Sequence, residues 1–375
     1  MAGIEFSVPY NPNGGINTLE KILRLQNLNG NRIREVYLSG PQEYSGSGRV
    51  TGKLSLKQFL EVVNRIHKEG IDVNLVLNST CEGGDCYSTA ALDKLVAFLR
   101  RVHDKNGIEA VTIANPCYIR EIKRKLPDIK ICASVLADID CVQRAVVFRE
   151  AGADIITPDI NINRDLKLLK EMEEVTGAEL KLMVNEGCLY KCPFRKFHFN
   201  YISHKSKEMD EAKEDTFSFP MNCCIPVILK DMAQVLKSRW IRPEDTGEYN
   251  SITNFFKIVG RSVPVSRTLR AIKVYLEEDW NGDLLDIMCS SLYTFSLRYG
   301  TYLDNKKLGD CNFFEKVTSC SNNCNQCHYC EELAKDLMLG WLTAEKLRDL
   351  GLDEKANELE MKEKALCDNS VSHKQ

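Results

Sequence analysis

Residues 72–115, DVNLVLNSTCEGGDCYSTAALDKLVAFLRRVHDKNGIEAVTIAN, carry the reading on which the fold turns. DVNLVLN is a short run rich in β-branched residues. LDKLVAFLRRVHDK then spaces its apolar residues three and four apart, and EAVTIAN returns to the strand pattern. A strand, a helix and a second strand joined this closely form a crossover unit whose strands lie parallel. The same alternation extends outward in both directions. IEFSV (from Ile4), REVYLS (from Arg34), IKICASV (from Ile129), DIITPDI (from Asp154), ELKLMVN (from Glu179) and NFFKIVG (from Asn254) read as strands. LKQFLEVVNRIHKEG and CVQRAVVFREAGA read as helices between them. Eight strands, each followed by a helical pattern, predict an α/β fold: a parallel (β/α)8 TIM-type barrel over residues 1–280. An open doubly wound sheet is the alternative, but no GxGxxG or phosphate-binding loop follows any strand.

Strand starts fall 20 to 38 residues apart until the seventh, after which the gap is about 75. An insertion at about 186–253 fills it. In such barrels the loops after strand C-termini build the active-site face, so the longest of them marks where chemistry is to be sought. SRTLRAIKVYLEED supplies the eighth helix. Beyond it, 281–341 reads as a cysteine-rich extension, and 342–375 as a charged helix with a flexible tail.

The 375 residues are 43% hydrophobic and 27% charged, the range of a soluble globular chain, and the formal net charge is −3. That balance does not favour nucleic acid as a partner unless a local basic patch holds it. There is no apolar run long enough for a membrane span, and MAGIEFSVPY lacks the features of a signal peptide, so the expected location is cytoplasmic. The sixteen cysteines are then expected to be reduced, and clustered thiols point to metal.

Two clusters stand out. CSNNCNQCHYC places Cys320, Cys324, Cys327 and Cys330 within eleven residues on turn-forming neighbours, a spacing that lets four thiolates wrap one centre. A [4Fe–4S] cluster is the preferred reading, with structural zinc as the alternative. The second group, in the insertion, is Cys188 and Cys192 in NEGCLYKCPFRKFHFN, followed by Cys223 and Cys224 in FPMNCCIPV. These four are candidate ligands of a second cluster, or simply buried thiols; spacing does not decide between them.

NEGCLYKCPFRKFHFN, WIRPED (from Trp240) and FKIVGR (from Phe256), in that order, resemble the collagenase-like peptidase family U32. The resemblance runs from the first strand to about Leu276. It implies a [4Fe–4S] cluster on cysteines in the region of Cys188 and Cys192, with Cys188, Cys192, Cys223 and Cys224 as the expected set; with the centre read from the CSNNCNQCHYC spacing, two clusters are expected. It also implies oxygen-independent hydroxylation or related modification of an organic, peptide or RNA substrate, under anaerobic conditions, with prephenate as a carboxylate co-substrate. The RNA-modifying members carry long C-terminal domains absent from this sequence.

Three functions follow as expectations. In the first, a redox enzyme or subunit receives electrons from a donor and binds an anionic small molecule or a partner protein. Arg195, His198, Lys257 and Arg261 are its catalytic candidates: arginine forks suit a carboxylate, and a histidine titrating near neutrality suits proton donation. His204 and Arg242 belong to the same cationic set. The second is a peptidase using Cys188 with His198, although no recognisable hydrolytic motif is present. The third is a non-catalytic electron carrier or scaffold, with KFHFNYISHKSK as a docking surface.

Overall fold

The computed structural model describes residues 3–361 apart from 42, 43, 45, 85, 86, 208–216, 338–341, 350, 352, 354, 355 and 358. The chain divides into two compact units. One comprises Met1–Glu186, Lys191–Thr216 and Arg239–Asp279; the other comprises Gly187–Tyr190, Phe217–Ser238 and Trp280–Gln375.

The first unit holds nine parallel strands: β1 (Glu5–Pro9), β2 (Arg32–Ser39), β3 (Asp72–Leu77), β4 (Ala110–Ile113), β5 (Lys130–Ala133), β6 (Ile155–Ile156), β7 (Glu179–Leu180), β8 (Leu182–Met183) and β9 (Phe255–Lys257). Their order is β7-β6-β5-β4-β3-β2-β1-β9-β8. Only Lys181 separates β7 from β8. The two are halves of one strand position, β7 pairing with β6 and β8 with β9, so the sheet comes round on itself. The eight-position barrel expected from the repeating pattern is therefore present.

Helices α1 (Gly15–Leu23), α2 (Leu56–His67), α3 (Thr89–Asn106), α4 (Pro116–Lys125), α5 (Val142–Ala151) and α6 (Leu166–Thr176) lie between strands, and Val265–Glu277 follows β9. Each boundary has a local cause. Ser55 and Gln58 form a reciprocal capping box at the start of α2. Asn115 caps α4, with Pro116 in its first turn. Gly107 ends α3 at φ 70°, a left-handed position that glycine takes at little cost.

Alternation along the strands sorts the side chains. Val36, Val73, Leu75, Val111, Ile113 and Ile131 are buried apolar residues of the barrel wall. The residues between them include buried polar ones, Ser7, Glu35, Asn74 and Thr112, which join across four strands. Ser7 Oγ donates to Glu35 Oε1 (2.5 Å), Asn74 Nδ2 donates to both Glu35 oxygens (3.1 and 3.2 Å), and Thr112 Oγ1 donates to Asn74 Oδ1 (2.7 Å). Lys181 completes the network, its Nζ 2.5 Å from Glu35 Oε1. The barrel thus encloses a satisfied polar layer, which is how it holds a buried charge pair.

In the second unit, Leu284, Leu285, Leu292, Phe295, Leu303, Leu308 and Phe313 form a buried apolar set. Asp283 accepts from the Leu285 and Leu303 backbone N–H groups, and Lys237 bridges Asp231 (3.0 Å) and Glu331 (2.5 Å). The tail expected to be helical contains Ala344–Asp349; residues 362–375 lie outside the described residues. No described helix is long and apolar enough to cross a membrane.

Candidate functional site

Lys257 is the last residue of β9, and Arg261 follows four residues later, so both stand at the exit of the eighth strand position. Each is only 7% exposed. They share Tyr37 of β2: the Lys257 ammonium nitrogen lies 4.0 Å from its ring centroid, and the Arg261 guanidinium carbon 5.3 Å. Arg261 Nη1 also donates to Ser39 Oγ (2.8 Å), and Tyr37 OH donates to the Ile258 carbonyl (3.0 Å). No carboxylate pairs with either cation among the described residues. Burial, then repulsion from Lys181, pushes the Lys257 amine down to about 7; burial likewise pushes Arg261 down to about 10.

Helix α7 (Arg195–Lys207) adds the insertion's contribution. Arg195 and Arg49 both approach the Phe199 ring, at 4.9 and 5.0 Å from its centroid. Arg49 Nη2 reaches Glu186 Oε2 at 3.1 Å, and Arg195 Nε lies 3.6 Å from Asp138 Oδ1. Burial, reinforced by Arg49 and Arg195 and opposed by Glu186, lowers His198 to about 4, which favours the uncharged ring at neutral pH. Arg242 is committed elsewhere, in a two-pronged pair with Asp245 (2.9 and 2.6 Å), and His204 faces Cys81. At the strand exits, Asn78 Oδ1 accepts from Gly48 N (3.0 Å) while its Nδ2 donates to Ser134 Oγ (2.8 Å).

The cysteines are distributed between the units. Cys192 belongs to the barrel unit, and Cys188, Cys223 and Cys224 to the other. Cys223 and Cys224 end the π-helical turn Pro220–Cys224; Cys224 is buried, and Cys188, Cys192 and Cys223 are half-buried. In the extension, Cys320, Cys324 and Cys327 lie in irregular backbone, and Cys330 is in the first turn of Tyr329–Asp336. As donors, closely spaced thiols suit an iron–sulfur centre. Among the described residues, however, no three His, Cys, Asp or Glu side chains are gathered in position to hold a metal ion.

Arg49 and Tyr37 were not anticipated from the sequence. Arg49 sits in GSGRVTG after β2, and the available signal was a glycine-rich loop at a strand exit carrying one long cation.

The model of peptidase family U32 matches residues 21–213. A protein of Methanocaldococcus jannaschii, named an uncharacterized protease, is 31% identical over 323 residues, covering 85% of this chain and 93% of its own. A solved U32 peptidase superposes with a TM-score of 0.51 at 16% identity, covering 70% of this chain and 94% of that one, a likeness of fold. The sequence matches establish that the chain belongs to peptidase family U32.

Proposed function

We propose that this chain is a barrel enzyme acting on an organic anion of the carboxylate class, bound at Lys257 and Arg261. One observation carries the reading: two cations are buried at the strand-exit end with no carboxylate in contact with either among the described residues, the Glu35 carboxylate that acts on Lys257 from a distance being itself paired with Lys181. A buried charge without a partner is costly, and proteins keep such groups where a ligand supplies the opposite charge. Arg261 offers fork geometry for a carboxylate, and Lys257 is charged or neutral within the physiological range. Titration with a series of mono- and dicarboxylates, prephenate among them, tests this. Saturable binding that Arg261→Gln weakens about 10–100-fold supports it. Absence of binding by every member at pH 6 overturns it.

The finer reading, iron–sulfur-dependent oxidation or hydroxylation with an external electron donor, is favoured by the CSNNCNQCHYC spacing and by the resemblance of NEGCLYKCPFRKFHFN. The proteolytic reading is favoured by the name of the M. jannaschii relative. The nucleophile and base expected for it, Cys188 and His198, fall in different units. A cytoplasmic location accompanies either reading.

A further inference from the structure

The loop after β3 is fastened to one face of α7 residue by residue. Thr80 Oγ1 donates to Asn200 Oδ1 (2.7 Å), and Thr80 N donates to Ser203 Oγ (2.9 Å). Cys81 Sγ lies 3.1 Å from His204 Nε2, and Glu82 pairs with Lys207 (2.9 Å). Positions 200, 203, 204 and 207 recur at three and four residues, the spacing of a single helical face. Three consecutive loop residues are therefore held in register, and the thiol–imidazole contact at the centre is the product of both neighbours. Cys81 also lines a cavity of about 310 Å³ with a mixed wall, Leu77, Ile113 and Leu136 on it beside the polar Ser79, Glu82 and Asn115.

We propose that Cys81 and His204 form a second reactive site, a thiol nucleophile with its base, that accepts a short apolar acyl group from an activated ester. The pair has the contact required of nucleophile and base. The cavity is near the lower limit for small-molecule sites, and the Leu77, Ile113 and Leu136 part of its wall suits a short acyl chain. The charge balance around the sulfur agrees: the Gly83 N–H and then His204 hold the thiol below its usual range, while the neighbouring Glu82 carboxylate opposes them and is itself paired with Lys207. In the reaction, the Cys81 proton passes to His204 as the Sγ–C bond forms at the acyl carbon. The C–O bond to the alcohol then breaks, and His204 returns the proton to the departing oxygen. Water then gives a proton to His204 as its oxygen bonds to the thioester carbon, the C–Sγ bond breaks to release the carboxylic acid, and His204 returns the proton to Sγ.

This site stands apart from the anion site and succeeds or fails independently of it. The test uses the full chain with p-nitrophenyl butyrate. The expected result is a burst of p-nitrophenol and the mass of one butyryl group on the peptide containing Cys81. His204→Gln should slow acylation by about 10²-fold or more. Peptide-resolved alkylation by iodoacetamide separates chemistry from misfolding. Cys81 should react faster than the exposed Cys117 and Cys141, and in His204→Gln the pH profile of Cys81 alone should move upward. No burst, acylation on another residue, or a Cys81 profile that His204→Gln leaves in place overturns the proposal.

Discussion

Lys257 illustrates how one residue's environment turns composition into chemistry. Its amine is held near 7, below the 10.5 of an unfolded lysine, so between those values the unfolded chain binds the additional proton. The contribution of Lys257 to stability is therefore full above pH 10.5 and is lost as pH falls toward 7. Lys257→Met should raise stability at pH 7 by an amount on the order of a few kcal/mol, a gain that shrinks toward pH 10, read by denaturant unfolding at both pH values. Binding of a carboxylate should act in the opposite direction. The anion favours the charged amine, so the wild type takes up protons on binding at pH 8, and affinity falls as pH rises. Calorimetry in buffers of different ionisation enthalpy measures that uptake, and Lys257→Met should abolish most of it. Lys257 and Arg261 were legible because FKIVGR places them at a strand exit. The lowered basicity of His198 was not, because it depends first on burial in the folded chain and then on Arg49, which is 149 residues away in the sequence.

At the scale of elements, the closure of the barrel and the polar layer inside it meet at one position. Lys181 interrupts the seventh strand between its two halves and inserts its ammonium against Glu35 of β2, where Ser7 and Asn74 occupy further sites on the carboxylate. Truncating one partner leaves the other charge buried. Glu35→Leu or Lys181→Met should each cost about 3–5 kcal/mol in chemical denaturation, and the double replacement should cost less than the sum of the two. By contrast, Ser55→Ala removes half of a capping box on an exposed helix end and should cost only about 1 kcal/mol. The strands themselves were legible in ELKLMVN and its counterparts because alternation and β-branching are local. That Lys181 faces Glu35 was not legible, because the two lie 146 residues apart on strands that do not pair and meet only when the barrel closes.

The whole molecule was legible where its pattern repeats and opaque where it does not. Eight similar strand–helix steps announce a barrel. The second unit has no period: it draws Gly187–Tyr190 and Phe217–Ser238 out of the insertion to join Trp280–Gln375, through contacts such as Ser291 Oγ to the Gly187 carbonyl and Lys237 to Glu331. Most of the expected thiol ligands fall within this unit, Cys192 being the exception, so metal loading is a question about the whole chain. The sharpest measurement is iron and acid-labile sulfide per chain after anaerobic purification. Two [4Fe–4S] centres require about eight of each, and Cys324→Ala and Cys188→Ala should each remove about half. About four, lost with Cys324→Ala but not with Cys188→Ala, would confine the metal to CSNNCNQCHYC and leave Cys188 and Cys192 as ordinary thiols. One zinc per chain without sulfide would make that run a structural clasp and remove the redox reading. On the proposed reading, a carboxylate at Lys257 and Arg261 is recognised by charge and not by iron. Carboxylate affinity in Cys324→Ala should therefore match the wild type.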